Sequence, residues 1–168
     1  MSMKQLSFYK TKRTHVAIMR QSLGVLEKII FGEKTIETRW YKNRSQPWDA
    51  IEPGDVVYFK NAGEPVTAQA TIGVVRQFED LTPAKIRAIL EEYADRIGID
   101  PGNIDDFCQR HRDKKYCLLI FLQNPLAVKP FEINKTGFGN QTAWLVIDNI
   151  DKIKKTTVTQ PKLLGRKQ

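Results

Sequence analysis

The sequence predicts an α+β fold, a small mixed β-barrel of about six strands with flanking helices and a helical insert. Three observations lead there. Short apolar, β-branched runs recur along the chain between Gly, Pro, Asn and Asp turn signals. A helical stripe separates the first two runs. A longer helical pattern then interrupts the series midway. At 168 residues, 41% hydrophobic and 27% charged, the chain suits one globular domain.

The elements follow in order. Residues 1–13 are polar and basic and read as an N-terminal tail. His15-Val16-Ala17-Ile18-Met19 begins the first strand. Gln21-Ser22-Leu23-Gly24 opens a helix, with Ser22 as its cap. Leu26, Ile29 and Ile30 give it an apolar stripe, and Gly32 ends it in a left-handed conformation. After Gly32 the pattern turns to period two. Ile36, Thr38 and Trp40 share one strand face; Thr35, Glu37, Arg39 and Tyr41 share the other, with Lys34 at the strand's entrance. Residues 42–48 read as a polar loop. Glu52-Pro53-Gly54-Asp55 is a turn leading into a strand at 56–60, and 61–65 turns into a long strand at 66–78. Gly73 marks a bulge or bend within that strand.

Thr82-Pro83 starts a helix, threonine as cap and proline in its first turn, and Gly98 stops it. Ile86, Ile89, Leu90, Tyr93 and Ile97 recur at core-facing helical spacing. A short second helix runs to about Arg110. Strands are read at 116–122, 126–133 and 143–147, with a loop at 135–142. Residues 82–112 thus form the helical insert, 14–150 the globular domain, and 151–168 a second basic tail.

Charge is unevenly placed. The chain holds 27 Lys and Arg against 19 Asp and Glu, a net +8. Residues 1–13 carry +4 and residues 151–168 carry +5, which leaves −1 for the body between them. Within that body, residues 79–106 carry −5 and the rest +4. An acidic insert sits on a mildly basic, strand-rich frame, and such an insert is not expected to face phosphates.

Several classes drop out. No apolar run approaches the length of a membrane span, and the N-terminus lacks a signal-peptide core. Cys108 and Cys117 match no zinc or redox spacing, and no His, Cys, Asp and Glu cluster has metal-ligand spacing; neither metal nor cofactor is expected. His15 and His111 read as structural or exposed. A cytoplasmic, monomeric protein with reduced thiols is expected.

The stretch Gly32-Glu33-Lys34-Thr35-Ile36-Glu37-Thr38-Arg39-Trp40-Tyr41 concentrates chemistry. Lys34, Glu37 and Arg39 converge beside a helix end, and the next loop adds Lys42 and Arg44 with two rings, Tyr41 and Trp48. A positive groove with aromatic faces is what single-stranded nucleic acid requires. The competing reading is a structural ion pair on a strand face, with Trp48 either packed or walling a cleft.

Residues 32–39 also fit Gly-x-Lys-x-x-Glu-x-Arg, and the chain there resembles ASCH domains, a PUA-like β-barrel family. The agreement continues through Pro53-Gly54-Asp55 and the Gly137-Phe138-Gly139 loop before a strand bearing Trp144. The resemblance implies a cleft floored by the signature strand that takes RNA or a nucleotide-like ligand. Lys34 and Arg39 would meet phosphate or a polar base edge, Glu37 would orient Arg39, and Asn140, Gln141 and Thr142 would line the cleft. Some ASCH-like proteins hydrolyse an acylated cytidine with a lysine, a threonine three residues later and a glutamate on a following strand. Here Lys34 matches, but Glu37 and Gln69 occupy the other two positions, and Gln cannot transfer a proton at neutral pH. A hydrolase, amidohydrolase or ribonuclease, with Lys34 and Glu37 as catalytic residues, is the alternative to a binding module.

Overall fold

A computed structural model describes residues 11–20 and 24–156. Most of the two basic tails, and Ser22, lie outside the described residues. Six strands form one curled sheet, in the order β2-β5-β4-β3-β1-β6. They are β1 (Thr14–Met19), β2 (Ile36–Tyr41), β3 (Val56–Asn61), β4 (Val66–Phe78), β5 (Tyr116–Phe131) and β6 (Trp144–Ile147). Three α-helices join them: α1 (Val25–Ile30), α2 (Pro83–Ile97) and α3 (Ile104–His111). β1 runs parallel to β3, and the other pairings are antiparallel. The result is an α+β half-barrel, with β2 and β6 at its two edges among the described residues. No helix among the described residues is long and apolar enough to cross a membrane.

The period-two pattern of β2 divides it between two cores. Ile36, and Trp40 at its edge, pack with Leu81, Ile86, Leu90 and Leu119 under α2. Tyr41, from the other face, packs against the inner barrel core of Val57, Phe59, Ile72, Leu118 and Trp144. The stripe Ile86, Ile89, Leu90, Tyr93 and Ile97 is buried as its spacing demands.

Capping follows the sequence in α2, where the Thr82 side chain accepts from Lys85 N and Gly98 adopts φ 86. In α1 the N-cap is Gly24, without a side-chain cap. Its other end is a Schellman turn: Gly32, at φ 74, donates to Ile29 O at 3.1 Å and Glu33 N donates to Lys28 O at 2.9 Å. Gly73 lies where β4 and β5 slip register, between Ile72 and Val75.

The strands expected separately at 116–122 and 126–133 are one 16-residue strand, β5. Residues 123–125 separate the two expected strands, yet the strand passes through them with Asn124 at φ 49 and shifts of register. Pairing explains the tolerance. β2 covers β5 only from Tyr116 to Phe121, so Pro125 and Pro130 lie where one side of the strand has no neighbour to serve.

Candidate functional site

The Schellman turn delivers Lys34 directly under the end of α2. Its side chain, 7% exposed, donates from Nζ to Ile36 O and Ile97 O, both at 2.8 Å, and stands 3.4 Å from Glu37 Oε2. Ile97 O belongs to the last turn of α2, where carbonyls lack helical partners and a cation is favoured. Thr35 N donates to Arg96 O at 2.9 Å, and Arg96 Nε donates to Thr35 Oγ1 at 3.2 Å. The signature strand and the end of the insert's first helix are thus one unit.

Glu37 is 4% exposed and pairs through its other oxygen with Arg39 Nη2 at 3.2 Å. The three side chains form a buried chain of charges with one carboxylate between two cations. Burial pulls the Lys34 ammonium below its ordinary range, while Glu37 opposes that shift. The three groups around Nζ are all acceptors, an arrangement that satisfies an ammonium and leaves no donor for a neutral amine.

Arg39 reaches across the seam of the half-barrel. Nη1 donates to Ala143 O at 3.4 Å, Nη2 contacts Met19 Sδ at 3.4 Å, and the guanidinium lies 4.9 Å from the Trp144 ring centre. Its Nε is buried without a partner. Arg39 links edge strand β2 to the start of edge strand β6.

A cleft of about 510 Å³ opens over this floor. Lys34, Glu37 and Thr38 line its base, Lys28 of α1 stands on one side, and Ile97 and Gly98 at the end of α2 close another. The opposite wall comes from the acidic insert, with Asp100, Asn103, Asp106, Phe107 and Arg110. The acidic insert, which is not expected to face phosphates, is a wall of the cleft. Its helices are drawn there by their apolar faces, for Phe107 and Trp40 meet edge to face at 5.7 Å.

The other expected site residues lie elsewhere. Tyr41 donates to Gln46 O at 2.6 Å. Lys42 pairs with Asp113 at 2.6 Å and Arg44 with Glu79 at 2.7 Å. Arg44 also lies over the Trp48 and Tyr116 rings, and Trp48 packs against the inner core. Asn140 and Gln141 are exposed, while Thr142 donates its hydroxyl to Phe138 O. Asn140 borders a separate depression with Lys135 and Thr136. Of the ten expected residues, the cleft lining contains Lys34 and Glu37, with Arg39 paired behind them.

One buried network had no signal in the sequence. His15 Nε2 lies 3.0 Å from Asp55 Oδ2, and Trp144 Nε1 donates to His15 Nδ1 at 3.1 Å. Indole nitrogen is only a donor, so Nδ1 accepts and the proton sits on Nε2, shared with Asp55. Asp55 also accepts from Arg13 N and Glu52 N, both at 2.9 Å. Burial pushes the His15 pKa below 6.5 against the pull of Asp55. The parallel pairing of His15 with Val57 joins these distant residues, and a parallel pair is not readable from local pattern. Among the described residues no three His, Cys, Asp or Glu side chains are grouped to hold a metal ion.

The curled sheet, the helix between β1 and β2, and the charged strand under a cleft define a PUA-like α+β half-barrel. Within that class the fold is that of ASCH domains. The structure of ASCH from Zymomonas mobilis superposes with a TM-score of 0.57 at 12% identity, covering 79% of this chain and 85% of that one. A variant of the same protein with tyrosine changed to phenylalanine gives 0.58 at 12%, covering 80% and 89%. At that identity the likeness establishes the fold. No protein-family model and no curated protein sequence matches the chain.

Proposed function

We propose that this chain is a nucleic-acid-binding module that takes an RNA base or a nucleotide-like ligand in the cleft between half-barrel and insert. The observation that carries this reading is the buried Lys34–Glu37–Arg39 chain at the cleft's base, which leaves a net positive charge. A floor of that sign favours phosphate or an electron-rich base edge in a partly desolvated site. The walls supply the complement. Lys28 and Arg110 suit phosphate, Asn103 suits a base edge, and Asp100 and Asp106 can accept from ribose hydroxyls or an exocyclic amine. A volume of about 510 Å³ falls within the range of small-ligand pockets.

Hydrolysis fits less well. A catalytic Lys34 would have to release a proton with three acceptors around it, and both Glu37 oxygens are engaged. Gln69, at the position of the hydrolase glutamate, pairs with Tyr58 and Leu126 in the sheet and does not line the cleft.

Fluorescence anisotropy with labelled mononucleotides tests the reading. Lys28 and Arg110 are exposed, so Lys28→Gln with Arg110→Gln leaves the fold intact. Removing two charge-assisted hydrogen-bond donors should weaken binding by about tenfold or more. Unchanged affinity for every nucleotide in that folded double variant would sink the cleft assignment.

A further inference from the structure

Lys60 is a buried charge that nothing in the cleft explains. It lies on β3 beside a register slip between Phe59 and Lys60, a bulge that re-aims side chains. It is 7% exposed. Charged side chains this deep are ordinarily paired. Among the described residues the other buried acidic and basic side chains all are: His15 with Asp55, and Lys34 with Glu37. The Lys60 side chain has neither hydrogen bond nor ion pair among the described residues. Yet Arg39 Nε is the one fully buried side-chain atom among them without a partner, so the Lys60 ammonium still reaches solvent. Its stem is buried and its tip is free.

The surroundings sharpen the point. Burial lowers the Lys60 pKa, Glu132 opposes that shift, and the charges of Lys135 and Lys155 add to it. The backbone holds these like charges together. Ile133 and Lys154 form a β-bridge, Asn134 N donates to Ile153 O at 2.7 Å, and Lys155 N donates to Glu132 O at 2.8 Å. Lys135 is drawn to the next loop by donating to Thr142 O at 3.3 Å. Lys154 lies 4.6 Å above the Phe131 ring, which meets Tyr58 edge to face. Lys155 borders one depression and Lys135 another, neither sharing a residue with the cleft.

From this geometry we infer a second binding site, for the phosphodiester backbone of single-stranded nucleic acid, formed by Lys60, Lys135 and Lys155 on the outer face of the sheet. Cations grouped beside aromatic rings suit the backbone and bases of a single strand. Glu132 lowers the local charge without cancelling it. The site stands independently of the cleft.

The test uses the full chain, a 5′-labelled twelve-nucleotide uridine RNA and a potassium chloride series, with uridine monophosphate binding measured alongside. Lys60→Met keeps the buried apolar stem and removes an ammonium that has no partner among the described residues, so its melting temperature should not fall below that of the unaltered chain. Each phosphate that is no longer neutralised should make the slope of log affinity against log salt shallower by about 0.7. Lys60→Met and the separate double variant Lys135→Gln, Lys155→Gln should both show this, with mononucleotide binding unchanged. An RNA affinity and slope unaltered in both variants overturns the site, whether or not the mononucleotide binds. A shallower slope in both variants without any mononucleotide binding supports this site and defeats the cleft reading instead. If inorganic phosphate, followed by phosphorus NMR, loses its binding in Lys60→Met while RNA binding does not change, the ligand is free phosphate and the backbone assignment falls.

Discussion

Lys34→Met isolates what the buried ammonium contributes, because methionine keeps most of the apolar stem. Three interactions disappear: the 2.8 Å bonds to Ile36 O and Ile97 O, and the 3.4 Å pair with Glu37. Removing one partner from a buried ion pair costs about 3–5 kcal/mol, because the other charge stays behind unpaired. Glu37 still has Arg39 at 3.2 Å, which places that loss at the low end of the range. The exposed end of the α2 carbonyl ladder adds about 1 kcal/mol for Ile97 O. The expected total is about 4 kcal/mol, or roughly 8–16 °C in melting temperature for a chain of this size. Urea unfolding followed by circular dichroism measures it, with an unchanged dependence on urea to show that the unfolded state is the same. Glu37→Gln should then relieve part of the penalty, giving a coupling of about 1–2 kcal/mol in a double-mutant cycle. A Lys34→Met cost below about 1 kcal/mol, or a coupling near zero, would refute the buried-clamp reasoning.

Two further outcomes follow from the same structure. His15 is buried neutral with a pKa below 6.5, so the unfolded chain binds its proton first as pH falls. Its contribution is complete above about 6.5 and is lost as pH drops through the folded-state value. The stability gap between the unaltered chain and His15→Gln should narrow from pH 7.5 to pH 5 in urea titrations; a gap constant with pH would contradict the assignment. Gly98→Ala forces a Cβ onto φ 86 and should cost about 1–2 kcal/mol, whereas Gly73→Ala meets only the movable end of Gln123 and should be nearly neutral by thermal melting.

Local features were legible where the physics is local. The period-two pattern of residues 36–41 correctly separates Ile36 and Trp40 from Glu37, Arg39 and Tyr41. Thr82, Gly98 and Gly32 mark helix ends because caps need particular side chains or a left-handed backbone. The separation expected between strands 116–122 and 126–133 fails because a proline's tolerance depends on which side of the strand has a neighbour, and that is a tertiary property. The candidate site shows the same division. Spacing put Lys34 beside Glu37, but its burial comes from α2, whose Ile97 lies 63 residues away. Acidic composition says which ligand groups the insert would repel, but apolar contacts such as Phe107 with Trp40 decide where it sits, and its charges follow. Lys42 and Arg44 looked free in the sequence because their partners, Asp113 and Glu79, are remote.

The place of β1 in the sheet governs when the molecule can be finished. β1 lies between β3 and β6, so one of its neighbours is not made until residues 144–147 leave the ribosome. Closing so long a loop makes this the slowest pairing to acquire in entropic terms. Until then His15 lacks Trp144, and the growing chain carries a half-paired strand with an unshielded edge. The sheet is therefore completed only when β6 joins β1. A substitution that weakens β6 should reveal itself first as aggregation during synthesis, at temperatures where the completed fold is still stable.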